Sequence, residues 1–136
     1  MTVMNSGTTS IGTDGRDTLI GSNGNDILIG GLGGDTLTGG FGADQFVYES
    51  FSDRTDTITD FNPNKDMVVL TDVFVEIGYQ GIDPIAEGYL QFVQDESDAR
   101  VQIDPDGFAG FQAFRTMAIL HNVAIESLAV GSNVII

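Results

Sequence analysis

Between Gly12 and Val47 a large apolar residue returns at every ninth position: Leu19, Leu28, Leu37 and Phe46. The stretch divides without gaps into GTDGRDTLI, GSNGNDILI, GGLGGDTLT and GGFGADQFV. A period of nine fits neither a helical stripe nor a long alternating strand. It fits a six-residue turn followed by a three-residue strand whose middle side chain alone points inward. Two copies then make one flattened coil of 18 residues between two parallel sheets. Turns of copies one and three stack on one edge of this coil, and turns of copies two and four on the other. The outward positions divide into a threonine-rich face (Thr18, Ile20, Thr36, Thr38) and an apolar one (Ile27, Ile29, Gln45, Val47). The apolar face is expected to be covered and the threonine face to meet water.

Downstream the apolar runs lengthen, at 67–70, 89–93, 99–103, 114–120 and 134–136, between turns rich in glycine, proline and acid. Residues 72–88 are too broken by glycine and proline for a long helix, while 95–99 and 104–107 (DPDG) read as turns. The expected fold is all-β: a right-handed parallel β-roll followed by an antiparallel β-sandwich-like cap. Residues 1–11 are expected to be a polar lead-in, 12–66 the roll with its closing segment, and 67–136 the cap. The lead-in reads as a decayed turn or, by preference, as a tail; Thr8 lies nine residues before Asp17, and Asn5 at the phase of Asp14 and Asn23.

The polar positions of the repeat carry its chemistry. Position six is always aspartate (Asp17, Asp26, Asp35, Asp44), and positions one and four are always glycine (Gly12, Gly21, Gly30, Gly39; Gly15, Gly24, Gly33, Gly42). A flexible linker has no reason to hold aspartate and leucine at fixed phase. Stacking pairs Asp17 with Asp35 and Asp26 with Asp44, and such carboxylates raise each other's pKa unless a cation lies between them. Glycine carbonyls add oxygens, and an all-oxygen site of high coordination suits Ca²⁺.

The nonapeptide resembles the calcium-binding repeat of RTX proteins. The match is close in copies three and four, whereas Thr13 and Ser22 stand where the second glycine is usual (Gly31, Gly40). The whole chain looks like the C-terminal module of an RTX protein exported by type I secretion, as found in serralysin-type proteases, lipases, adhesins and alginate epimerases. The resemblance implies two to four Ca²⁺ ions. Their ligands would come from the glycines and aspartates above and from the third positions, Asp14, Asn23, Leu32 and Phe41. Residues 56–70 resemble the segment that closes such a roll, and Asp53, Asp56 and Asp66 would ligate the last ions there, with Asp60 a weaker candidate. Asp53, nine residues after Asp44, is expected to stack over the turn of Asp35.

Composition narrows the partners. The 20 acidic and 5 basic residues give a net charge of −15, which repels nucleic acid and anionic membrane. No run is long and apolar enough to insert into a membrane. Three bound Ca²⁺ would bring −15 to −9. No cysteine can staple the fold, so metal must. There is no HExxH, GxSxG or cysteine nucleophile, and the single histidine, His121, reads as structural or surface, so no catalysis is expected. The resemblance implies a secreted or surface location, with a type I transporter and upstream domains as partners. Its export signal would lie in the last residues, 123–136. A competing function is recognition of carbohydrate or of a surface, which would want grouped basic or aromatic residues on an exposed face.

Overall fold

The computed structural model describes residues 7–136. The short strands β1 (Thr9–Ile11), β2 (Thr18–Ile20), β3 (Ile27–Ile29), β4 (Thr36–Thr38), β5 (Gln45–Val47), β6 (Asp56–Ile58) and β7 (Met67–Val69) alternate between two parallel stacks. Helix α1 (Thr71–Glu76) follows, then β8 (Leu90–Asp95), β9 (Asp98–Ile103), β10 (Arg115–Leu120) and β11 (Val134–Ile135). One sheet has the order β1-β3-β5-β7-β11, the other β2-β4-β6-β10-β9-β8.

The repeat sets this register. Thr9 pairs with Ile27 and Thr18 with Thr36, so each strand lies one coil from its neighbour. The inward residue of each strand, the middle one except in β6 where Ile58 aligns with Leu37, is then stacked on its predecessor, and Leu28, Leu37, Phe46, Ile58 and Val68 are sealed between the sheets. Val73 and Phe74 of α1, together with Leu90, Val101, Ile103, Met117 and Leu120, continue the same core.

Four expectations change. Thr9–Ile11 is not a tail but the first strand of the roll, with Ser10 aligned on Leu28. The roll therefore begins one strand earlier, in phase; the reading of Asn5 lies outside the described residues. Second, Met67 does not open an antiparallel region: β7 pairs parallel with β5, and the C-terminal β11 pairs parallel with β7. A three-residue apolar run reads the same in either direction, so its sequence could not show the orientation. Third, the antiparallel strands form no separate sandwich. The free edge of β6 is taken in parallel by β10, and β9 and β8 extend that sheet as a meander.

Fourth, the two faces of the roll do not differ. Ile27, Ile29, Gln45 and Val47 are half-buried, and so are Thr36 and Thr38. Thr9, Ile11, Thr18 and Ile20 are exposed. Exposure follows place in the stack: β1 and β2 have one neighbour each, whereas inner strands are shielded on both edges. The expected turns do appear, with Glu96 at φ 56 between β8 and β9 and Asp104 Oδ1 accepting the Asp106 N–H at 3.2 Å.

Candidate metal centre

Each turn folds its aspartate back over the first glycine of its own copy. A Cβ at Gly30 or Gly39 would collide with Oδ2 of Asp35 or Asp44, and one at Gly12 would lie 2.7 Å from Oδ2 of Asp17. The fourth position is glycine for a second reason. Gly33 has φ +95, and a Cβ there would sit 2.6 Å from the carbonyl oxygen of Gly15 on the turn beneath. Carbonyls and carboxylates thus crowd the same edges, and only a residue without a side chain fits between them.

The aspartates form two ladders. On one edge Asp17 N–H donates to Oδ1 of Asp35 at 2.8 Å, and Asp35 N–H to Oδ1 of Asp56 at 2.9 Å. On the other, Thr8 N–H donates to Asp26 at 2.7 Å, Asp26 N–H to Asp44 at 2.9 Å, and Asp44 N–H to Asp66 at 2.9 Å. The rungs are 18 residues apart within the repeats but 21 and 22 in the last coil. That lengthening corrects the expectation for Asp53. Asp56 stacks over Asp35, while Asp53 Oδ2 closes its own loop on the N–H groups of Glu49 and Ser50 at 3.1 Å. Asp60, the weaker candidate, caps the N–H groups of Gly39 at 2.9 Å and Gly40 at 2.8 Å.

Charge is poorly satisfied in the inner rungs. Oδ2 of Asp35 and of Asp44 is buried with no hydrogen-bond partner. Burial, then the nearby carboxylates of Asp66, Asp26 and Asp60, pushes Asp44 up to about 6. Burial, with Asp35 and Asp53 alongside, pushes Asp56 up to about 7. Asp35 and Asp66 are also raised, chiefly by burial. Asp26 goes the other way. Burial alone would raise it, but hydrogen bonds from Ser22 and Thr8 outweigh this and hold it at about 2.

These residues fit a hard divalent cation. The orphaned, buried Oδ2 atoms of Asp35 and Asp44 are acceptors that water does not reach, and a cation offsets the repulsion that raises their neighbours. Among the described residues no three acidic, histidine or cysteine side chains converge closely enough to hold an ion alone. Main-chain oxygens must complete the shell, which is how Ca²⁺ is held in loops. Asp14, Asn23, Leu32 and Phe41 have exposed side chains. Thr8, Thr13 and Ser22, which are not among the expected site residues, donate to these carboxylates, and Tyr48 is buried beside Asp56 without a regular hydrogen bond to it. For Thr8, Thr13 and Ser22 the signal was present, in the phase of Thr8 and in the departures at positions 13 and 22. His121 is exposed, with Nδ1 3.0 Å from Asp98 Oδ1.

Fold and edges together define a calcium-binding β-roll. Residues 11–46 match the family model of the RTX calcium-binding nonapeptide repeat, in four copies. No curated protein matches the chain. Among solved structures it is similar to the AlgE6R3 subunit of the Azotobacter vinelandii mannuronan C5-epimerase, at 24% identity and TM-score 0.62, covering 99% of this chain and 86% of that one. The AlgE6R2 subunit of the same epimerase gives 21% and 0.62, covering 93% and 88%. The extracellular lipase LipA of Serratia marcescens gives 19% and 0.56, with 94% of this chain on 20% of that one. These likenesses share the fold. The repeats are of the RTX kind, and RTX repeats bind calcium.

Proposed function

We propose that this chain is the calcium-folded C-terminal module of a larger exported protein, unfolded where calcium is scarce and folded outside the cell. The observation that carries the reading is the pair of buried, partnerless oxygens on Asp35 and Asp44 within ladders of stacked carboxylates. Ions between the turns would be held by Asp17, Asp35 and Asp56, with Asp53 near, on one edge. Asp26, Asp44 and Asp66 would hold them on the other. Main-chain oxygens of the first four positions of each copy fill the remaining places. The magnitudes suit a switch. A ligand at 100 times its dissociation constant stabilises by about 2.7 kcal/mol, so three sites approach the roughly 5–15 kcal/mol of a whole domain. Extracellular calcium modules bind at roughly 10⁻⁴–10⁻³ M, far above the free calcium of a cytosol.

Titrating Ca²⁺ into chelator-treated protein should produce a cooperative gain of β circular dichroism in the millimolar range, with Mg²⁺ a poor substitute. An unchanged β spectrum in excess chelator would refute the reading. The export address is assigned to residues 123–136. In the folded chain β11 closes a sheet, and Asn133 ties Ser127 and Pro63 together at 2.7 and 3.0 Å. A transporter would read the segment before folding, so both roles can hold. Removing residues 133–136 from the parent protein should abolish its appearance in the medium; normal export with weakened calcium binding would leave the segment structural only.

A second reading, recognition of an uncharged sugar, has one observation in its favour: Phe108 and Phe111 stand exposed on the loop between β9 and β10. If it holds, Phe111→Ala weakens oligosaccharide binding without moving the calcium midpoint.

A further inference from the structure

Tyr48 is the first residue after β5, and its N–H donates to Val69 O at 3.0 Å, which locks its backbone to β7. The side chain runs inward and is 2% exposed. Its hydroxyl is buried and has no partner at regular hydrogen-bond geometry. It faces the carboxylate of Asp56, within electrostatic reach of Asp35 and Asp53. A buried hydroxyl without an acceptor is costly, and a phenylalanine would fill the same apolar space. The hydroxyl therefore calls for a role at the acidic cluster it reaches.

Resting on the calcium reading above, we propose that Tyr48 is a positioning residue of the last ion on the Asp17–Asp35–Asp56 edge. Oδ1 of Asp56 is fixed by the Asp35 N–H at 2.9 Å. The phenol faces the same carboxylate without a regular hydrogen bond; with the ion in place it would donate to that carboxylate, fix its rotation and turn its remaining lone pairs toward the edge. Tyr48 is anchored through β5 and β7, strands of the opposite sheet, whereas Asp56 starts β6. The contact thus couples occupation of one edge to the packing between the sheets.

The test compares calcium midpoints by far-ultraviolet circular dichroism for wild type, Tyr48→Phe, Asp56→Asn, the double variant and Tyr79→Phe. Tyr79 serves as control, because its hydroxyl donates to Glu87 at 2.7 Å, away from the roll. Tyr48→Phe should raise the midpoint about tenfold, as expected for losing one hydrogen bond to a charged group. Tyr79→Phe should leave it unchanged. In the Asp56→Asn background the Tyr48→Phe shift should shrink to under about twofold, since the partner charge is gone. In chelator at pH 5, Tyr48→Phe should be no less stable than wild type, an outcome that a purely structural role would not give. An unmoved midpoint, a shift that persists in the Asp56→Asn background, or equal losses with and without calcium would overturn the assignment. A wild type indifferent to calcium would overturn the calcium reading itself and this inference with it.

Discussion

Copies one and two of the repeat close their turns differently from copies three and four. In the first two, a hydroxyl stands at the second position. Thr13 Oγ1 donates to Asp17 at 3.0 Å and accepts the Gly15 N–H at 3.1 Å. Ser22 Oγ donates to Asp26 at 2.7 Å and accepts the Gly24 N–H at 3.0 Å. In the last two, Gly31 and Gly40 hold that position at φ +82 and +88, and Oδ2 of Asp35 and Asp44 stays unpartnered. One nonapeptide thus gives two electrostatic states. The outer carboxylates are satisfied by their own turns, whereas the inner ones are acceptors left for a cation.

The largest consequence is a reversal of sign. Asp44→Asn keeps an Oδ1 for the Asp26 N–H and removes only charge. In chelator it should stabilise the fold by relieving a buried, crowded carboxylate. In saturating calcium it should destabilise by about 2–3 kcal/mol, one site's worth. The β circular dichroism in chelator and urea denaturation in saturating calcium measure this, and a loss under both conditions would erase the distinction between inner and outer turns. Asp35→Asn should follow the same pattern and raise the calcium midpoint more than Asp17→Asn, because its rung lies between Asp17 and Asp56. Equal midpoints for the two would contradict the stacking.

The pH dependence is next in size. Asp44 at about 6 and Asp56 at about 7 lie above the ordinary value of 3.8, so the fold binds more protons than the unfolded chain between these limits. Their contribution is therefore full below about pH 4 and is lost as pH rises through 6 and 7. Asp26, held at about 2, contributes above 3.8 and loses its share only as pH falls through 2. Calcium-free protein should accordingly gain β signal on acidification from pH 8 to about 5, by circular dichroism. With calcium the trend inverts, because protons compete for the same oxygens. A calcium midpoint independent of pH over this range would refute the electrostatic account.

Thr13→Gly and Ser22→Gly should have the smallest effect. Each removes hydrogen bonds from a partly exposed turn, at a cost of about 1 kcal/mol in chelator, and turns an outer copy into the inner kind. The cost should shrink in calcium. A loss of the same size with and without the ion would mean that these hydroxyls hold the turn but do not stand in for the ion.

The inner turns were legible in the sequence because glycine, aspartate and leucine each have a separate reason for their phase. The closing coil was not. Counting nine from Asp44 reaches Asp53, but the longer last coil brings Asp56 and Asp66 to the rungs instead, and nothing in a period announces where it lapses. The directions of β7, β10 and β11 were hidden for a related reason: they depend on which strand edge remains open, a property of the assembled sheets. Ser10 gives no apolar signal at its inward position, although its backbone pairs in phase with Leu28. Tyr48 carries no signal in the sequence, since only the fold shows where its hydroxyl ends.

The most direct test of the account is to locate the ions. In crystals grown with calcium, an anomalous difference map should show peaks on both edges of the roll, in contact with Asp35 and Asp44. Peaks elsewhere, with the Oδ2 atoms of Asp35 and Asp44 bound only by protein or water, would contradict it.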